Sequence, residues 1–261
     1  MHVMKMLSLE GKTALVTGGA GKYGRQIVAS LAEAGANVFI ASRNVEALEK
    51  VAEYHRQRNE KVHALKLDLG SEESIAQVRD SILEKTGRID VLVNNAVART
   101  VGTWDDDLSA YEESWRINAT GLHAVTRAIG KIMEGQKSGS IINIGSMMGM
   151  VGIEHHNYDG TEMGKGWPAD YFFHKGGMIN YTRFCASYFG RFNVRCNCVS
   201  PGGLFEPSQP AQFVKNYSDR TQLGRMANDT DLKGIIVFLA SEASAYVTGA
   251  NIPVDGGYTA K

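Results

Sequence analysis

Seven short apolar runs are spaced along the chain with helix-like segments between them, and this alternation constrains the fold more than any other feature. The runs Lys12–Thr17, Asn37–Ala41, Ile89–Asn94 and Ser140–Ile144 hold consecutive apolar residues rather than apolar residues at every second position, and Val62–Leu69 and Val194–Val199 are read with them although polar residues interrupt them. A last run lies near 250–254. A strand that is apolar on both faces must be buried on both faces, which parallel strands joined by helical crossovers achieve. Helical spacing fills the gaps over 23–35, with Ile27, Val28 and Leu31 inward and Gly35 at its end, and over 44–58, with Asn44 as N-cap. It continues over 72–86, stopped by Gly87, over most of 109–134, and over 170–189 and 229–241. The stretch 202–226 carries no clear pattern and reads as mobile. No internal repeat, low-complexity tract or linker interrupts the series. The expected fold class is α/β, a doubly wound parallel sheet of about seven strands with helices on both faces. A single domain is expected over 1–261, with 1–8 as an N-terminal arm.

Composition narrows the function classes. With 43% hydrophobic residues the 261-residue chain can build a sizeable core, and its zero formal net charge advertises no nucleic-acid or membrane partner. Met1–Leu7 is too short and too weakly apolar for a signal peptide, and no apolar run is long enough to span a membrane. Three cysteines, an odd number, argue against a secreted disulfide framework. Cys196 and Cys198 share one side of a strand and read as small buried hydrophobes, not zinc ligands. A cytoplasmic protein without a metal is expected.

The first run leads directly into Thr17-Gly18-Gly19-Ala20-Gly21-Lys22-Tyr23-Gly24. Glycines at a strand-to-helix turn let the backbone approach a pyrophosphate, which the helix N-terminus stabilises. Gly19, Gly21 and Gly24 fit the dinucleotide frame in the strand–turn–helix context it requires, so the sheet is read as Rossmann-type. At the end of the second run, where a carboxylate would bind the ribose 2′-hydroxyl of NAD, stand Ser42 and Arg43. A guanidinium there can pair with a 2′-phosphate, so NADP(H) is expected over NAD(H), which remains possible.

Of the ten tyrosines only Tyr171 has a lysine, Lys175, four positions on, which is one turn along the same helix face. A cation there favours phenolate over phenol, which suits acid–base exchange near neutral pH.

Further motifs follow in order: Asp68-Leu69, Asn94-Asn95-Ala96, Asn118 within Ile117-Asn118-Ala119-Thr120-Gly121, and Ser146 after Ile144-Gly145. After the Tyr171/Lys175 pair come Asn197 through Pro201-Gly202, then Thr248-Gly249 and Val254-Asp255-Gly256-Gly257. With Thr17, Gly18 and Gly24 they make the chain resemble the classical short-chain dehydrogenase/reductase (SDR) family from about residue 9 to residue 258. The resemblance implies Tyr171 as general acid/base and Lys175 as its electrostatic partner and a ribose contact. It implies Ser146 as the group that orients the reacting oxygen and Asn118 as the holder of a water linking Lys175 to solvent. Cofactor contacts are expected from Gly18, Gly21, Lys22, Tyr23 and Gly24 at the turn, and from Ser42, Arg43, Asp68 and Leu69 at the adenosine end. Asn95, Ala96, Tyr171, Lys175, Pro201, Gly202 and Leu204 complete that set. The family is commonly tetrameric, which suggests a homotetramer using the helices at 109–134 and after Tyr171, with the last strand and Tyr258–Lys261 at a second interface.

The chain departs from the family pattern in places. Lys22 replaces a glycine, Val97 stands where a glycine usually follows Asn-Asn-Ala, and Glu206 falls near a usual threonine. Ser146 and Tyr171 are unusually far apart, and the insertion 151–170 between them is expected to border the substrate. Met147, Met148, His155, His156 and Trp167 are the candidate substrate contacts. The favoured function is an oxidoreductase moving hydride between NADP(H) and a secondary alcohol or ketone, with a sugar, sugar acid, polyol or similar hydroxylated substrate. The alternatives are a 3-oxoacyl-thioester reductase of the acyl-carrier-protein type and a non-catalytic NADP-binding regulator. Whether 202–220 closes over the site is not readable from the sequence.

Overall fold

Each apolar run becomes a strand in the computed structural model, which describes residues 2–164 and 166–260. Met1, Lys165 and Lys261, which belong to the expected arm, insertion and tail, lie outside the described residues. A short helix α1 (Val3–Met6) precedes β1 (Thr13–Thr17), α2 (Lys22–Glu33), β2 (Asn37–Ser42), α3 (Val45–Arg56), β3 (Val62–Lys66), α4 (Glu72–Thr86) and β4 (Val91–Asn94). Then follow α5 (Leu108–Trp115), a π-helical turn (Arg116–Gly121), α6 (Leu122–Gln136), β5 (Gly139–Ile144), α7 (Ala169–Gly190) and β6 (Val194–Pro201). The described chain closes with α8 (Ala211–Ser218), α9 (Lys233–Ala240) and β7 (Asn251–Val254).

All strands pair in parallel in the order β3-β2-β1-β4-β5-β6-β7. The double-sided burial expected from the runs is realised in β1, β2, β4, β5 and β6, while the edge strands β3 and β7 are only partly buried. Ala14, Val16, Val38 and Ile40 pack with Ile27 and Leu31 of α2, Leu48 of α3 and Ile236 of α9. Leu15, Phe39, Leu92 and Ile141 pack with Ile82 of α4, Ile129 of α6 and Phe189 of α7. Each fully buried Leu, Ile or Phe contributes about 1.5–3 kcal/mol, so these two layers are the main drive that docks the crossover helices. A polar ladder also crosses the second layer. Asn94 Nδ2 donates to Asn143 Oδ1 (2.9 Å) and Thr126 Oγ1 (3.0 Å), and Asn143 Nδ2 donates to Thr182 Oγ1 (2.9 Å). It ties β4 and β5 to α6 and α7.

Local signals act as their chemistry requires. Asn44 caps α3 by accepting from Ala47 N, Ser71 caps α4 by accepting from Ser74 N, and Gly87 ends α4 in the left-handed conformation. The long helix expected over 109–134 is present from Leu108 to Gln136, with a π-turn at Arg116–Gly121 that hydrophobic spacing does not reveal. Three expectations need correction. The stretch 202–226 is not irregular throughout, because α8 buries Phe213 and Tyr217 against Met147, Met226 and Tyr258. The third strand stops at Lys66, since Asp68 turns the chain, its carboxylate accepting from Gly70 N (2.9 Å). Tyr258, assigned to an interface, is buried within the chain against Tyr217 and accepts from Asn157 Nδ2 (2.8 Å).

The three cysteines are unpaired and buried. No helix among the described residues is long and apolar enough to cross a membrane. The chain winds outward from β1 to β3, then returns to lay β4 on the other side of β1. At such a switch point the helical connections diverge and leave a crevice at the strands' carboxyl ends.

Candidate active site

The crevice is a cleft of about 1340 Å³. Its first wall is the turn after β1. Gly18 has φ +70°, and a Cβ there would lie 2.9 Å from Ala96 Cα. A Cβ on Gly24 would collide with Gly18 O. The turn therefore needs hydrogen at both positions, one for its conformation and one for close packing. Thr17 and Asn95 bind it to the end of β4. Thr17 Oγ1 accepts from Asn95 N and Ala96 N (both 3.1 Å), while Asn95 Nδ2 donates to Thr17 O (3.1 Å) and Gly18 O (2.9 Å). Gly18, Gly21, Lys22 and Tyr23 line the cleft, whereas Gly24 lies beneath its wall. Gly21 is the N-cap of α2, so the helix presents its free amides and positive dipole end to the cleft.

The turn is also clasped from the far side. Tyr23 Oη donates to Gly202 O (2.8 Å), joining the start of α2 to the segment after β6. Burial pushes the Tyr23 phenol well above its ordinary range. Lys22 does not point freely into solvent: its ammonium pairs with Glu206 across the cleft entrance. The two departures from the family pattern are therefore one contact in space. Ser42, Arg43, Asp68 and Leu69 line the cleft where β2 and β3 end, and Arg43 has no ion-pair partner among the described residues. Asn95, Ala96, Pro201, Gly202 and Leu204 form the opposite stretch.

At the floor, Ser146 follows β5, and Tyr171 and Lys175 come from α7. Ser146 Oγ accepts from Met148 N (3.1 Å), which caps a 3₁₀ turn over Met147–Gly149 and fixes the hydroxyl at the strand end. Lys175 is 4% exposed, and its Nζ donates to Ile144 O (2.6 Å), 5.6 Å from the centre of the Tyr171 ring. Burial lowers the Lys175 pKa, against the opposing field of Tyr171 and Cys198. A guanidinium absent from the sequence-level list, that of Arg99, lies over the Tyr171 ring, 4.5 Å from its centre. Its signal was its place in the loop after β4, at the topological switch point.

Asn118 sits in the π-turn, off the main cleft. Its amide is engaged with Ala98 on both sides, Nδ2 donating to Ala98 O and Oδ1 accepting from Ala98 N (both 2.8 Å), and Nδ2 also reaches Ser114 Oγ (3.0 Å). A cavity of about 20 Å³ is bounded by Asn118, His174 and Lys175, which is room for one water. Behind it, buried Ser114 donates to Asp170 Oδ2 and lies 3.1 Å from His174 Nε2. Burial lowers the His174 pKa, with Asp170 opposing. Asp170 and His174 directly precede Tyr171 and Lys175, so the network fixes α7 against α5 where α7 carries those two side chains.

The insertion returns to the cleft through Tyr158, Gly166, Trp167 and Pro168. Tyr158 packs edge-on to Trp167 (5.2 Å) and against Phe213 of α8 (5.4 Å). Met147, Met148 and Trp167 line the cleft as expected. His155 and His156 do not. The 3₁₀ turn at His155–Tyr158 directs Asn157 and Tyr158 inward, leaving His156 70% exposed and paired with Glu154 (2.7 Å) and His155 edge-on to Trp167 (5.1 Å). Phe213, Tyr217 and Met226 join the wall from a stretch that has no readable pattern.

Comparison with known proteins agrees with this geometry. A family model described as enoyl-(acyl carrier protein) reductase matches residues 21–259. A 3-oxoacyl-[acyl-carrier-protein] reductase of Aquifex aeolicus is 33% identical over 96% of this chain and 98% of its own length. The crystal structure of a short-chain type dehydrogenase/reductase from Mycobacterium marinum superposes with a TM-score of 0.88 at 29% identity, covering 100% of both chains. A gluconate 5-dehydrogenase from Burkholderia cenocepacia, solved with NADP and tartrate, superposes with a TM-score of 0.87 at 28% identity over 100% of both.

The burial of Lys175 has a measurable consequence. A buried ammonium with a depressed pKa destabilises the fold at neutral pH, and the penalty fades as pH rises from the folded pKa towards the unfolded value near 10.5. Lys175→Met is expected to melt above wild type at pH 7, with the difference shrinking as pH approaches 10.5. Thermal melts across that range check it, and a wild type more stable than the variant at pH 7 contradicts it.

Proposed function

The chain belongs to the short-chain dehydrogenase/reductase family, and from that premise we propose an NADP(H)-preferring oxidoreductase of a hydroxylated secondary alcohol or the corresponding ketone. That it is an oxidoreductase of CH–OH or keto groups that uses a nicotinamide dinucleotide follows from the family. The convergence of Ser146, Tyr171 and Lys175 on one cleft floor, beside the glycine turn, carries the proposal. The turn fits a dinucleotide: it has a cradle that side chains would fill and a helix N-terminus facing it. Gly18, Gly21 and the start of α2 would hold the pyrophosphate, Asp68 and Leu69 the adenosine, and Lys175 the nicotinamide ribose. A bound nicotinamide supplies or accepts the hydride.

Around it, the chain's residues handle the proton and the oxygen. Ser146 donates to the substrate oxygen and orients it. Tyr171 gives a proton to the forming alkoxide in reduction, or removes it in oxidation. The Lys175 ammonium stabilises negative charge on the phenol oxygen during transfer. Asn118 and the small cavity beside Lys175 suit a water that returns the proton towards solvent.

Ser42 and Arg43 support NADP(H) over NAD(H), since no carboxylate at the end of β2 would repel a 2′-phosphate. A polyol, sugar or sugar acid fits the aromatic wall of Tyr158 and Trp167, as the gluconate 5-dehydrogenase relative suggests. A second reading, reduction of a 3-oxoacyl thioester, is favoured by the apolar surface of Met147, Met148 and Phe213 and by the Aquifex relative. The three unpaired thiols suit a reducing compartment such as the cytoplasm. A homotetramer is proposed because α5 and α7 expose Trp115, Phe173, Phe184 and Tyr188 along one aromatic face.

Tyr171→Phe is expected to lower kcat by about a hundredfold or more while NADPH binding survives. A variant retaining a tenth of wild-type kcat would remove Tyr171 from the proton path. Arg43→Ala should raise KM for NADP about tenfold to a hundredfold relative to NAD. An equal effect on both cofactors argues against the 2′-phosphate contact. Light scattering at micromolar concentration should give four times the chain mass, and a monomer would refute the assembly. Screening polyols and sugar acids beside 3-oxoacyl thioesters separates the two substrate readings.

A further inference from the structure

We propose that Arg99 is the specificity-determining residue for an anionic substrate, and that its guanidinium receives a carboxylate attached a few bonds from the reacting carbon. The inference rests on the oxidoreductase reading and narrows its substrate class. Arg99 lines the cleft in the loop after β4, and its guanidinium lies 4.5 Å from the centre of the Tyr171 ring. It is an exposed side chain with no hydrogen bond or ion pair among the described residues.

The carboxylates around the cleft are each held by other donors and none is paired with Arg99 among the described residues. The Asp106 carboxylate accepts from Gly102 N (2.6 Å), Thr103 N (3.2 Å) and Thr103 Oγ1 (2.5 Å), closing its own loop. Asp68 accepts from Gly70 N (2.9 Å), and Glu206 holds Lys22. The other cation at the floor, Lys175, is buried against Ile144 O. The cleft that Arg99 lines also carries apolar side chains, among them Val101, Met148, Trp167 and Phe172. A single planar fork of donors set beside apolar walls matches a carboxylate, whose two oxygens it can take in parallel. A phosphate-bearing tail would call for further cations around it.

The position also limits where the anion sits on the substrate. The reacting oxygen has to meet the Tyr171 hydroxyl, and Arg99 covers that same ring, so the two recognised groups lie close together on one small molecule. Stacking on the ring holds the guanidinium in place before the substrate arrives, which reduces the side-chain freedom lost on binding. A neutral substrate of the same shape would leave the guanidinium with a cation–π contact alone.

The test uses a panel of hydroxy acids from lactate to gluconate, each beside its neutral amide. Binding to the intact enzyme saturated with NADP, and separately with NAD, is measured by calorimetry, and turnover is measured on the same pairs. The wild type should favour carboxylate over amide by about tenfold to a hundredfold. Arg99→Gln should bring that ratio close to one, and Arg99→Lys should retain part of it. Arg99 is exposed, so both variants should fold, which circular dichroism confirms. A wild type that favours no carboxylate over its amide overturns the proposal. So does an Arg99→Gln loss equal for both members of each pair, because Arg99 would then act on Tyr171 and not on the anion. If preference and its loss persist in binding while no pair is turned over, the anion site stands and the oxidoreductase reading falls.

Discussion

An ammonium taken out of water must be compensated, and the surroundings of Lys175 are arranged around that requirement. Its Nζ donates to the carbonyl of Ile144, the last residue of β5. That bond fixes the height of α7 on the sheet. It thereby links α7, which carries Tyr171 one turn earlier, to the strand that leads into Ser146, two residues beyond Ile144. The small cavity bounded by Asn118 and His174 lies on the ammonium's other side, where a water can satisfy a further proton. The buried Asp170–Ser114–His174 contacts hold α7 against α5 within the same stretch. Much of the geometry of the floor thus follows from placing one positive charge under one ring.

The glycine turn is a separate construction, joined to the floor through the sheet. Thr17 and Asn95 stitch β1 to β4 at their carboxyl ends, so the turn and the loop that carries Arg99 leave the sheet from adjacent points. Across the cleft, Tyr23 reaches Gly202 and Lys22 reaches Glu206. The first contact is a part-buried hydrogen bond that ties two backbone segments together. The second is a surface pair, which contributes little to stability by itself and is screened by salt. The cleft therefore has a fixed inner clasp and a weak outer one.

The strands and the glycine turn were legible in the sequence because their determinants are local. Apolar runs specify two-faced burial, glycines specify a turn, and Tyr171 with Lys175 specify a helix face. What was not legible depends on partners distant in the chain. The π-turn at Arg116–Gly121 continues the apolar pattern of its neighbours, so spacing alone reads one helix over 109–134. The helix α8 lies in a stretch rich in glycine and polar residues and is held by Phe213 and Tyr217 packing onto Met147 and Tyr258. His155 and His156 looked like substrate contacts because polar residues beside a catalytic serine invite that reading. A 3₁₀ turn reverses their direction, and no periodicity announces it. Arg99 was passed over because an arginine in a loop is ordinarily solvated surface, and only the fold sets it over Tyr171.

Ser146, Tyr171 and Lys175 stand on a strand end and on one helix, and the backbone geometry they need is written in short motifs. The wall facing the substrate is assembled from the insertion, α8 and the loop after β4, three segments that meet only after folding. Tyr158 packs on Phe213, and Trp167 on Tyr158, so each side chain's direction depends on the others. Such a wall can change its shape and polarity without disturbing Lys175 or the glycine turn, because the hydrogen bonds that fix those lie on the sheet side of the cleft. Relatives named for a thioester and for gluconate can therefore share this floor while differing in the groups above it. In this chain, the guanidinium of Arg99, set over the Tyr171 ring, is a charged group of the cleft with no ion pair among the described residues.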